Sequence, residues 1–260
     1  MSNALVQIRR DGAVAIIAID RPDKRNALSR ALIALLRAAV EDAARDDSIR
    51  CIILTGNGPA FCAGMDLDEL RGTIEKPEES ASIWDDAHRL SELYSLLYEL
   101  PKPTIAAVNG AAVAGGAGLC TVCDLAVTVP SAKFGYPEVR RGLVAAMVLP
   151  HLLRHVGERM ARWLLLTGEL IGADEALRCG LVNAIVEPER LLPTALEWAA
   201  KCALGGPKAL AKTKELLRLC SPQAVPVKNL AIASAEPRLT DECRGGLRAF
   251  FDGQPVPWAT

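Results

Sequence analysis

The chain has 260 residues, half of them hydrophobic, with 30 Lys and Arg against 31 Asp and Glu for a net charge of −1. That length suits one large domain, or a domain with a helical tail, and leaves enough apolar residues for a sizeable core. The scattered, balanced charge excludes the clustered basic footprint of a nucleic-acid binder. No apolar run reaches the ~18 residues of a membrane span, and residues 1–10 lack the apolar segment of a signal peptide, so the chain reads as cytoplasmic.

Residues 6–10 and 14–19 predict two strands of a hairpin turning at Asp11-Gly12. A helix is expected over 29–45, with Ser29 as its N-cap. Its Leu32, Leu35, Leu36, Ala39 and Val40 share one face. The short apolar run 51–54 reads as a buried strand, followed by a glycine loop to Pro59. A helical period runs over 78–100, where Pro101 and Pro103 end it. Residues 104–108 predict the next buried strand, Asn109-Gly110 a turn, the glycine-rich stretch after it the start of a helix, and 125–129 another strand. From Val148 the chain reads as mostly helical, apart from a short strand within 181–186 and breaks at Gly205-Gly206-Pro207 and Pro222. Strands alternating with helices before a helical end argue an α/β fold with a C-terminal helical extension.

Eight cysteines are present. Cys120 and Cys123 form a lone C-x-x-C without the second pair or the thioredoxin-like setting that a metal or redox site needs. Buried, reduced, structural cysteines are the expectation, and no metal is expected. His88, His151 and His155 read as structural or surface residues.

Three segments suit chemistry. Phe61-Cys62-Ala63-Gly64-Met65-Asp66-Leu67 and the run from Asn109 to Gly118 each place small residues where a buried strand ends. Glycine and alanine let a ligand approach the backbone, and a helix start presents unpaired N–H groups at a positive dipole end. Two such places converging would make an oxyanion hole. The third segment, Phe134 to Leu143, sets Glu138 among apolar neighbours, where desolvation of its charge favours proton transfer. Each feature has a plainer reading: Gly115-Gly116 as a tight helix contact, Glu138 as a surface acid, Asp66 as a helix cap. Their order and spacing together shift the balance.

The F-C-A-G-M-D segment and the N-G-x-x-x-x-G-G segment resemble the crotonase (enoyl-CoA hydratase/isomerase) superfamily. Leu165-Leu166-Thr167-Gly168 and Gly180-Leu181-Val182-Asn183 extend the likeness over nearly the whole chain. The resemblance implies an α/β ββα-spiral, ClpP-like core over residues 1–200 and a helical oligomerisation region over 201–260. Leu210, Leu216, Leu217, Leu230, Ile232, Leu247, Phe250 and Phe251 would dock a neighbouring subunit of a homotrimer or homohexamer. It implies an acyl-CoA thioester as substrate and partner, no separate cofactor, and backbone N–H groups of Met65 and Gly115 as the oxyanion hole. Glu138 matches one of the two glutamates of family hydratases. Lys24, Ala27, Leu28, Ala63, Asp66 and Leu67 match the coenzyme A channel, and Val113, Gly116 and Pro137 complete the implied binding set.

Two departures stand out. The other hydratase glutamate falls at Gly118, and Phe250-Phe251 is followed by Asp252-Gly253 in place of a basic pair. Hydration of a 2-enoyl thioester divides conveniently between two carboxylates, whereas shifting a proton between C2 and C4 of an enoyl chain needs one. Both reactions stay open on Glu138, and the missing acid tilts the expectation toward isomerisation. A decarboxylase or a non-catalytic acyl-CoA binder is the alternative.

Overall fold

The apolar runs fold as strands of two sheets in the computed structural model, which describes residues 5–75, 80–221 and 227–259. Strands β1 (Val6–Asp11) and β2 (Val14–Ile19) make the expected antiparallel hairpin. The larger sheet continues in parallel through β3 (Cys51–Gly56), β5 (Thr104–Val108), β7 (Leu125–Thr128) and β10 (Ala184–Ile185), in the order β1-β2-β3-β5-β7-β10. Every residue of β2 and of β5 is buried. Helices cover a parallel sheet on both faces, which is why these strands are continuous apolar runs.

A second sheet, β4 (Ala60–Cys62), β6 (Ala111–Val113), β8 (Lys133–Gly135) and β9 (Leu170–Gly172), stands beside the first. Each long strand therefore leads into a short one and then a helix. β3 and β4 precede α2 (Leu67–Glu75) and α3 (Ser80–Glu99); β5 and β6 precede α4 (Gly115–Val122); β7 and β8 precede a 3-10 turn (Pro137–Arg141) and α5 (Leu149–Thr167). This is the ββα spiral that the resemblance implies. The three-residue strands leave no signal in the sequence, because so few residues show no period. The expected strand over 181–186 shrinks to Ala184–Ile185, with Leu181 and Val182 buried before it.

Helix α1 (Arg30–Arg45) starts where expected, and the Ser29 side chain accepts from the Leu32 N–H at 3.2 Å. Such a cap is worth about 1 kcal/mol. Leu35, placed on the buried face by its spacing, is 46% exposed. After α6 (Ala173–Arg178) and α7 (Pro188–Ala203), α8 (Pro207–Leu219) opens at the predicted Gly205-Gly206-Pro207 break. The break expected at Pro222 lies outside the described residues.

The tail packs on its own chain. Helix α9 (Val227–Ala235) lies against α3 through Ala231 and Ala235 on Ile83 and Ala87. Helix α10 (Asp241–Phe251) buries Cys243 and Leu247 against Leu70 of α2. Leu247, expected on a docking surface, is thus internal; Leu216 and Leu217 are exposed. No described helix is long and apolar enough to cross a membrane.

Candidate active site

The ends of β4 and β6 meet at a cavity of about 650 Å³. Met65 follows β4 and pairs with Leu28 as an isolated parallel bridge. In that bridge Leu28 donates to the Gly64 carbonyl at 2.7 Å and accepts from the Asp66 N–H at 3.0 Å. Alternation along an extended backbone then turns the N–H of Met65 itself away from Leu28. Gly115 is the first residue of α4, so its N–H has no acceptor within the helix. Both Met65 and Gly115 line the cavity.

Close backbone approach brings the Gly64 and Gly115 segments together. A Cβ on Gly64, whose φ is +90°, would lie 2.8 Å from Ala114 Cβ and 3.3 Å from Gly115 N. A Cβ on Gly116 would lie 2.1 Å from the Cys62 carbonyl oxygen. Gly116 is therefore packing rather than wall. Ala114 takes a φ of +52°, a conformation costing of order 1–3 kcal/mol in a residue with a side chain. The surrounding strands hold this strain immediately before the helix.

Glu138 enters from the 3-10 turn that Pro137 opens and Gly142 closes. Its Oε2 is buried without a hydrogen-bond partner among the described residues. Burial pushes its carboxyl up to about 7, against the opposing pull of its own backbone N–H and the Arg141 charge. A carboxyl balanced near neutrality can take and return a proton.

Lys24, Ala27, Ala63, Asp66, Leu67 and Val113 reach the same cavity. Leu28, Gly116 and Pro137, expected in the binding set, are not among the residues that line it. Lys24 is exposed and paired with Asp68 at 2.9 Å. Asp66 behaves as the plainer reading had it. Its Oδ1 accepts from the N–H of Asp68 at 2.8 Å and of Glu69 at 3.3 Å, while Oδ2 pairs with Arg21. Burial alone would raise its carboxyl, but these donors hold it below the ordinary value. Its charge is engaged in positioning the start of α2.

Several wall residues had no signal in the sequence: Tyr94 and Leu90 from α3, Val148 just before α5, and Arg238 from the tail. Leu143, the end of the Glu138 segment, and Phe250, expected on a docking surface, line the cavity as well. Tyr94 is fully buried, and its hydroxyl donates to the Gly115 carbonyl at 2.6 Å. A Cβ on Gly118 would fall 2.3 Å from that hydroxyl oxygen and 2.6 Å from Val148. The space beside Gly118 is thus filled by another residue, which explains the absence of a side chain there. Cys120 and Cys123 are buried free thiols, Cys120 raised by burial to about 12. His155 hydrogen-bonds the Thr121 carbonyl at 2.9 Å, away from this chemistry.

The family model described as enoyl-CoA hydratase/isomerase matches residues 9–259. A Thermus thermophilus protein whose name places it among enoyl-CoA hydratases is 42% identical, covering 96% of this chain and 99% of its own. The 2,3-dehydroadipyl-CoA hydratase of Escherichia coli is 37% identical over 81% of this chain and 80% of its own. A crystal structure of an enoyl-CoA hydratase from Mycobacterium avium superposes with a TM-score of 0.84 at 31% identity, covering 98% of this chain and 99% of that one. The match spans both sheets, the two glycine segments and the tail, and the chain belongs to the enoyl-CoA hydratase/isomerase family of the crotonase superfamily.

Proposed function

We propose that the chain hydrates a 2-enoyl-CoA thioester. The N–H groups of Met65 and Gly115 bind the thioester oxygen and stabilise the enolate as it forms. Glu138 takes a proton from water as the water oxygen adds to C3, then returns that proton to C2 as the enolate collapses. One carboxyl suffices because the proton it accepts is the one it gives. The observation that carries this reading is the buried, unpartnered Oε2 of Glu138 on the wall of the cavity that Met65 and Gly115 also line. The hydratase names of the relatives support it, against the tilt toward isomerisation that the sequence suggested.

The test is the loss of enoyl thioester absorbance with crotonyl-CoA, run beside a 3-enoyl-CoA. Hydration should be the faster reaction, and Glu138→Gln should lower it by roughly 10²–10⁴. A 3-enoyl-CoA turned over faster would favour isomerisation, for which the side chain missing at Gly118 is the specific support. A decarboxylase would be indifferent to Glu138→Gln. Exposed Leu204, Leu216, Leu217 and Leu219 on and around α8 support assembly into a trimer or hexamer; a monomer in sedimentation at micromolar concentration would refute that part.

A further inference from the structure

Two cations line the cavity, Arg238 buried and Arg141 partly buried, and the reaction above assigns a role to neither. Arg238 lies in the 3-10 turn Glu236–Leu239, is 7% exposed, and lines the cavity. Its Nη2 touches the Met65 sulfur, a weak acceptor. Among the described residues its Nε and Nη1 are buried with no hydrogen-bond partner. Asp86, a carboxylate whose charge it feels, already receives Arg30 on both oxygens at 2.6 and 2.9 Å. Arg141, three residues after Glu138, also has a buried Nε with no partner, and its guanidinium sits 4.1 Å from the Phe250 ring centre.

A guanidinium cannot shed its charge, and burying one without an anion is costly. Arg141 has partial compensation from the Phe250 ring and from the charge of Glu138, whereas the apolar residues that share the cavity wall with Arg238, Leu70 and Leu143, offer it none. The forked donors of a guanidinium match a carboxylate. An acyl-CoA could bring two kinds of anion: the phosphates of coenzyme A, or an acid group on the acyl chain. Phosphates are bulky and strongly hydrated, and the exposed Lys24, Arg25 and Lys133 already stand on the cavity wall to meet them. The buried Arg238 guanidinium suits a smaller anion at the far end of an apolar chain.

Resting on the acyl-CoA reading, we infer that the substrate is the mono-CoA thioester of an unsaturated dicarboxylic acid, whose distal carboxylate is held by Arg238, with Arg141 adding positive charge on the same cavity wall. The Met65 side chain, unbranched and flexible, swings off Arg238 to admit it, while its main-chain N–H stays in place.

The experiment compares kcat/KM for glutaconyl-CoA and 2,3-dehydroadipyl-CoA with that for 2-pentenoyl-CoA and 2-hexenoyl-CoA. Wild type should prefer at least one acid over its neutral partner by tenfold or more, and Arg238→Met should bring that ratio to about one. Arg141→Met and Arg238→Lys are the second variants should Arg238→Met not fold; the first should lower the ratio and the second should keep part of it. No preference in wild type, or a preference that survives both Met variants, overturns the inference. Binding of glutaryl-CoA, pentanoyl-CoA and free coenzyme A by calorimetry needs no turnover, so it separates failure of this inference from failure of the hydratase reading. Equal weakening of all three by Arg238→Met would assign the guanidinium to the phosphates and overturn the proposal.

Discussion

Replacing Glu138 by Gln tests the buried carboxyl through two observables that share one cause. Each tenfold separation of two acid constants is worth about 1.4 kcal/mol. Glu138 rises from an ordinary 4.5 to about 7 in the folded chain. Its folded constant exceeds its unfolded one, so the stability tied to its neutral form is complete below about 4.5 and is lost as pH rises through 7. Linkage puts the loss at about 0.8 kcal/mol at pH 5 and about 3.3 kcal/mol at pH 8. Gln does not titrate. The stability of Glu138→Gln relative to wild type should therefore increase by about 2.5 kcal/mol between pH 5 and pH 8, whatever fixed offset the amide introduces. Urea unfolding at the two pH values reads this difference directly. In the same range wild-type kcat/KM should climb as Glu138 ionises, with its half-height near pH 7. A stability difference independent of pH, or a rate limb near pH 4.5, would refute the claim that burial perturbs this carboxyl.

Three further outcomes concern residues on the cavity wall and residues packed near it. Gly115→Pro removes a donor and should lower kcat by 10²–10³, whereas Met65→Ala keeps its N–H and should change turnover of a neutral enoyl-CoA far less; steady-state kinetics of the pair decides whether the donors are main chain. Gly118→Ala forces a methyl against the Tyr94 hydroxyl and Val148, and should destabilise the fold by about 1–3 kcal/mol in thermal unfolding. Gly118→Glu meets the same obstacle, so an acid cannot simply be added there. Arg21→Met strands the buried Asp66 carboxylate and should cost about 3–5 kcal/mol in denaturant unfolding; a loss under 1 kcal/mol would show that the helix N-terminus alone supports that charge.

What the sequence made legible follows from where the information is local. Ser29 ahead of an apolar face, and the apolar runs at Ile52 and Ile105, announce their own conformation. The glycines at 64 and 116 also announce themselves, because close approach of backbones excludes any other residue. Glu138 could be picked out because Tyr136, Pro137 and Val139 flank it closely with largely apolar side chains. Tyr94 could not, since one tyrosine among the leucines of a helix reads as core, and its contact with Gly115 depends on how α3 crosses α4. Arg238 reads as an exposed charge in a helical tail; only the folding of α9 and α10 back onto α2 and α3 turns it inward. Leu247 was misplaced for the same reason: an apolar face tells that something covers it and not which chain does.

The cavity joins residues that lie far apart along the chain. Its wall takes residues from Asp23 to Phe250, so nearly the whole chain must be synthesised before the wall is complete. On a ribosome the glycine segments and Glu138 emerge well ahead of α9 and α10, and until those helices arrive the apolar faces of Leu70, Ile83 and Ala87 have nothing to cover them. Closing so long a loop is slow, and an open apolar face invites aggregation meanwhile. A nascent chain of this protein stalled before its tail should therefore bind chaperones and no acyl thioester, and binding competence should arrive in a single late step.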